Sequence, residues 1–184
     1  MMNVFLHRAY YRSSQFFKII RARLTHDERT LVESVLRTPP QQALFDRMPA
    51  IDQRHAVDLL NTLRAQGHHH PALMQAALLH DVAKSGAGIT IFHRIAVVLL
   101  QAFRPTWLVQ LASDAEGGLP GLWRRPFARY LDHPAIGAGW AEAAGCLPMA
   151  VSIIRRHQSP VPSSVLDTLE DQLLMLLQAA DDQN

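Results

Sequence analysis

The stretch Ala76-Ala77-Leu78-Leu79-His80-Asp81-Val82-Ala83-Lys84 runs from unbroken apolar residues into an imidazole and a carboxylate. Burying such groups without partners costs on the order of several kcal/mol. A helix apolar nearly all round therefore has no reason to end this way unless something compensates them. A divalent metal ion would compensate both. The mixture of nitrogen and oxygen donors suits iron, manganese, cobalt or zinc. Taken alone, a His-Asp dipeptide is more simply a hydrogen-bonded core pair.

The pair is not alone. His55 precedes it in Asp52-Gln53-Arg54-His55-Ala56-Val57, and Asp181 follows the apolar run Leu173 to Ala180 where more core is expected. Between them, His133 opens His133-Pro134-Ala135-Ile136-Gly137-Ala138 and His157 closes Val151-Ser152-Ile153-Ile154-Arg155-Arg156-His157. Both read as helix-boundary residues beside apolar segments. Lys84, one turn after the pair, is either a point charge for a substrate phosphate or a solvated helix-end lysine. Arg54, Arg155 and Arg156 flank these positions and read as surface or structural residues. His93 reads as a core or surface histidine, and Trp107, Trp123 and Trp140 as packing residues. His68-His69-His70, between Gly67 and Pro71, reads as a solvated turn. Cys146 is the single cysteine, so no internal disulfide forms and a reducing, cytoplasmic setting is expected. It has no histidine close in sequence to activate it as a nucleophile.

The ordered set His55, His80-Asp81, His133, His157, Asp181 resembles the HD superfamily of metal-dependent phosphohydrolases, over about residues 44–184. The resemblance implies an all-α helical bundle. It implies a first ion held by His55, His80, Asp81 and Asp181, and a second held by His133 and His157 with Asp81 bridging. One or two divalent ions follow: iron, manganese, cobalt, zinc or magnesium. The implied reaction is hydrolysis of a phosphomonoester, phosphodiester or nucleotide by metal-activated water, with Asp81 and Lys84 in the catalytic machinery. Members that cleave cyclic dinucleotides often carry a second histidine where this chain has Gln158, and a Gly-Tyr-Pro element that is absent here. Cyclic dinucleotides are therefore disfavoured. The order is also similar to small bacterial hydrolases of diadenosine tetraphosphate, without a match outside the ligands that would assign the substrate. The intact ligand set favours an enzyme over an HD-fold signalling or scaffold module with little turnover.

The elements that must position these residues are helices. Val57, Leu60, Leu63 and Arg64 follow the i, i+3, i+4 spacing, and few segments alternate with period two. Breaks at Pro39-Pro40, Gly67 to Pro71, Ser85 to Gly88, Gly117 to Gly121, His133-Pro134 and Ser159 to Pro162 divide the chain into about eight or nine helices. Residues 1–38 form a helical extension and 39–184 the HD domain. The extension sets Tyr10, Tyr11, Phe16, Phe17, Ile19 and Ile20 beside Arg8, Arg12, Lys18, Arg21 and Arg23. It reads as a packing helix with a basic face, or as an amphipathic helix that docks on a partner or membrane surface. Ile95 to Ala112 is broken by Arg104 and Pro105 and is too short to span a bilayer; it reads as two buried helices meeting at a turn. The basic residues His7, Arg8, Arg12 and Lys18 rule out a signal-peptide core in residues 1–20. At 184 residues, 48% hydrophobic and 18% charged, the composition is that of one globular domain rather than a disordered chain. A net charge of +2 is too small to suggest nucleic acid as partner.

Overall fold

A computed structural model describes residues 23–84, 99, 100, 103, 104, 106, 107, 110, 125–161 and 168–184, and among these it shows seven α-helices and one 3-10 turn. They are α1 (His26–Val35), α2 (Pro39–Asp46), α3 (Ala50–Ala65), α4 (Pro71–Leu79), the 3-10 turn Val82–Lys84, α5 (Arg125–Ala143), α6 (Pro148–Arg156) and α7 (Leu169–Asp181). The described residues contain no strand, so the fold is all-α. The expectation of eight or nine helices covers segments that lie outside the described residues. So do residues 1–22 of the N-terminal extension, His93, Trp123, and the loops 85–90 and 117–124.

Local chemistry sets the helix starts. Thr25 and Glu28 form a reciprocal cap on α1: the Thr25 hydroxyl accepts from the Glu28 N–H at 3.3 Å, and the Glu28 carboxylate accepts from the Thr25 N–H at 2.8 Å. Proline occupies the first helical position of α2, α4 and α6, where no N–H is needed. Gly67, at φ +85°, ends α3 in the left-handed region that a side chain would strain. His70 then caps α4 by accepting from the Ala72 N–H at 3.3 Å, so it is more than a solvated turn residue.

The hydrophobic order places α4 at the centre. Every residue from Ala72 to Leu79 is buried, as its all-round apolarity predicts. α1, α2, α3, α6 and α7 pack around it. Leu59, Leu60 and Leu63 from α3, Ile153 and Ile154 from α6, and Leu174 and Leu177 from α7 fill the core. Val32 and Leu36 belong to the same core. α5 lies against α6 and the 3-10 turn. Gly137 permits that approach: a Cβ there would sit 3.4 Å from Val82 Cγ1 and 3.7 Å from Ile154 Cγ2.

Two expectations are corrected. His133-Pro134 is not a helix boundary, because α5 runs through it and Pro134 lies inside the helix. The lost N–H does not end the helix because His133 itself supplies a substitute donor, as described below. The second concerns 95–112. The turn is present, with Arg104 N–H donating to Leu100 O at 2.7 Å and Trp107 N–H to Arg104 O at 3.0 Å. Burial is not: Leu99, Phe103 and Trp107 are 52%, 60% and 56% exposed, so Trp107 is not a packing residue. The central core is already filled by α3, α4, α6 and α7, and among the described residues of this segment only Leu100 joins a second, small cluster, with Phe127, Tyr130 and Leu131. Trp140 does pack against the main core, with the Arg47 guanidinium over its ring. No helix among the described residues is long and apolar enough to cross a membrane.

Candidate metal centre

The site is assembled from three helix ends and two helix interiors. His55 comes from α3, His80 and Asp81 follow the last turn of α4, His133 comes from the middle of α5, His157 follows α6, and Asp181 is the last residue of α7. Asp181 is anchored rather than frayed. The following Asn184 donates to Thr62 Oγ1 at 3.0 Å and to Ala180 O at 2.8 Å, and Gln66 donates to Gln183 at 3.2 Å. The chain end is thereby tied to α3, which also carries His55.

All six sequence-chosen ligands converge. They form two groups, His55 with His80 and Asp181, and Asp81 with His133 and His157; within each group the candidate ligand atoms lie within 4.8 Å of one another. The groups adjoin. His80 Nε2 is 3.8 Å from Asp181 Oδ1 on one side and 3.5 Å from Asp81 Oδ2 on the other. Asp81 Oδ1 faces His133 Nε2 at 3.3 Å and His157 Nε2 at 3.5 Å. One carboxylate thus turns its two oxygens to the two halves of the site.

Ring orientation has a common cause. His80 Nδ1 donates to Ala77 O at 3.1 Å, His157 Nδ1 to Ile154 O at 2.7 Å, and His133 Nδ1 to Tyr130 O. Each acceptor lies three residues earlier. Ala77 and Ile154 are among the last carbonyls of α4 and α6, which have no helical N–H to accept. Tyr130 O is in mid-helix, but its helical donor would be the N–H of residue 134, and Pro134 has none. A proton on Nδ1 leaves each neutral ring with its Nε2 lone pair aimed into the site, the arrangement that outer hydrogen bonds impose on metal-binding histidines.

These lone pairs then lack partners. His80 Nε2 and Asp81 Oδ1 are buried without a hydrogen bond, and His133 Nε2 faces His157 Nε2 at 3.2 Å. A hydrogen bond between those nitrogens, or from either to Asp81 Oδ1, would need a proton that rings donating from Nδ1 do not carry. A cation satisfies every one of these atoms together, so the donor set fits one or two divalent ions.

The electrostatics agree. Burial pushes His80 down to about 4 and lowers His133, keeping both neutral and able to ligate. Burial would raise Asp81, but the Lys84 charge and the surrounding histidines outweigh it and hold the carboxyl well below its usual range. Asp181 is likewise lowered against burial by its 2.9 Å bond to His55 Nε2, and His55 is raised in return by Asp181 and Asp81. The three inner histidines are buried, whereas the Asp181 side chain is 41% exposed, so the site opens on the His55–Asp181 side.

Lys84 is neither solvated nor free. Its Nζ lies 2.6 Å from Asp81 Oδ2 and over the Tyr130 ring. The flanking arginines are engaged elsewhere: Arg54 with Glu28 and Asp58, and Arg156 with Glu170 and Asp171. Arg155 is exposed. Cys146 is buried away from these residues, and burial pushes its thiol up to about 11.

Two contributors escaped the sequence reading. Tyr130 offers both the carbonyl that orients His133 and the ring beneath Lys84; its place four residues before Pro134 and three before His133 is the signal that could have found it. Gln178 donates to His157 O at 2.9 Å and Ser159 O at 2.8 Å, tying α7 to the end of α6. Comparisons of the chain with protein-family profiles, with characterised proteins and with solved structures return no match.

Proposed function

We propose that the chain is a metal-dependent phosphohydrolase of the HD type, cytoplasmic, acting on a phosphomonoester, phosphodiester or nucleotide. The observation that carries this reading is the convergence of four histidines and two aspartates, from five helices, with buried lone pairs that only a cation satisfies together. Divalent ions bound there would supply Lewis acidity toward a phosphoryl oxygen and acidify a water to near neutrality. His55, His80 and Asp181 would hold one ion, His133 and His157 the other, with Asp81 shared. The protein's own part is to keep His80 and His133 unprotonated, to hold Asp81 ionised through Lys84, and to leave the His55–Asp181 side open to a substrate. The Lys84 ammonium, released from Asp81 when ions take over that carboxylate, would be positioned to meet a phosphate oxygen.

The test is metal analysis of protein purified without chelators, followed by a panel of phosphoesters and nucleotides. Bound divalent metal with hydrolysis of at least one class supports the reading. Bound metal without turnover on any of them would make the chain an HD-fold signalling or scaffold module, and absence of metal affinity would remove both.

A further inference from the structure

Of the chain's 18 lysines and arginines, only Lys18 and Lys84 are lysines. Lys84 stands at the His/Asp centre, and two partners hold its ammonium. Nζ lies 2.6 Å from Asp81 Oδ2 and 5.4 Å from the centre of the Tyr130 ring. An ion would affect the two partners differently. Ions on Asp81 would take up the negative charge that holds the ammonium, and would themselves repel it. A lysine has a flexible stem and a strongly hydrated head, so an ammonium freed from a carboxylate swings into water unless another group retains it. The Tyr130 ring is not a metal ligand, and its attraction for a cation persists with ions bound.

The ring is itself fixed. Tyr130 lies on α5, one turn before His133, and its carbonyl accepts from His133 Nδ1. Its side chain belongs to the small cluster around Phe127. Its ring stands 5.4 Å from the His133 ring at a tilt of 50°. α5 in turn lies against the 3-10 turn that carries Lys84. A tyrosine that only packs needs the cluster around Phe127; it does not need an ammonium on its face.

We propose that Tyr130 is a positioning residue, whose ring keeps the Lys84 ammonium at the centre once ions occupy Asp81, where it can meet a phosphate oxygen of the substrate. The role rests on the hydrolase reading, because it concerns the ion-loaded site. The Tyr130 carbonyl, which orients His133, is a separate contribution that a side-chain substitution leaves in place.

Wild type, Tyr130→Leu and Tyr130→Phe are loaded with manganese and treated with acetic anhydride. Acetylation of Lys84 is read by peptide mass spectrometry, with Lys18 as the internal reference. Metal content should be the same in all three proteins. Lys84 should be acetylated about threefold to tenfold faster in Tyr130→Leu than in wild type, and Tyr130→Phe, which keeps the ring face, should restore the protection. With a phosphoester substrate, Tyr130→Leu should raise KM several-fold more than it lowers kcat, and Tyr130→Phe should recover most of the loss. Equal acetylation of Lys84 in wild type and Tyr130→Leu, at equal metal content, overturns the proposal. So does a Tyr130→Phe protein in which Lys84 is as reactive as in Tyr130→Leu. The expected acetylation pattern without hydrolysis of any phosphoester supports the hold of the ring on Lys84 and removes the hydrolase reading alone. A wild type that takes up no metal removes both. If circular dichroism shows Tyr130→Leu unfolded, Tyr130→Met, which keeps apolar volume without a π face, takes its place with the same expectations.

Discussion

Lys84 Nζ lies 2.6 Å from Asp81 Oδ2, the same oxygen that faces His80 Nε2 at 3.5 Å. The lysine thus shares with His80 the oxygen through which Asp81 would meet an ion in the proposed centre. Lys84→Met should lower the stability of the metal-free protein by about 3 kcal/mol, because a buried carboxylate is left unpaired. Its melting temperature should then rise more on adding manganese than the wild type's does, since the ion no longer competes with an ammonium. Paired thermal melts with chelator and with metal check this; equal rises in the two proteins would remove the competition.

Pro134 frees Tyr130 O for His133 Nδ1. Pro134→Ala restores an N–H that competes for that carbonyl. The helix should gain about 1 kcal/mol or more from losing an interior proline. Metal affinity should fall roughly 10–100-fold as the His133 ring loses its orientation. The opposite signs distinguish this from ordinary destabilisation and are read by thermal melts and metal titration together.

His133 Nε2 and His157 Nε2 lie 3.2 Å apart beside Asp81 Oδ1, and in the proposed two-ion centre this group would hold the second ion. His157→Ala should reduce bound metal from two ions to one and lower phosphoester turnover by about 100-fold. Metal analysis decides it: equal content in both proteins would leave a one-ion centre.

Glu28 is lowered from 4.5 to about 2, chiefly by its bond with Arg54, against burial and with help from the Thr25 N–H. A carboxyl lowered on folding stabilises the fold fully above its unfolded value near 4.5, and this contribution disappears as pH falls toward 2. Arg54→Met should therefore cost about 1 kcal/mol near neutral pH. The difference from wild type should shrink steadily below pH 4.5, as followed by urea denaturation across pH.

Cys146 is buried with its thiol raised to about 11. In the native protein it should react with a disulfide reagent at mildly alkaline pH at least tenfold more slowly than in denaturant, because little thiolate is present and access is blocked. Equal rates would place the thiol at the surface.

The sequence by itself determined the helical class and the identity of the candidate ligands. A fully apolar α4 interrupted by His80-Asp81, and an apolar α7 ending in Asp181, are visible wherever a polar residue stands in a place that periodicity reserves for core. Which atoms face one another was decided only in three dimensions. His133 looked like the start of a helix because Pro134 ordinarily breaks one; only the fold shows the His133 ring making good the missing donor. Lys84 looked available to a substrate because spacing does not reveal an ion pair across one turn. Leu99, Phe103 and Trp107 looked buried because hydropathy records what a side chain would gain from cover, whereas cover depends on how much core the other helices have left to share.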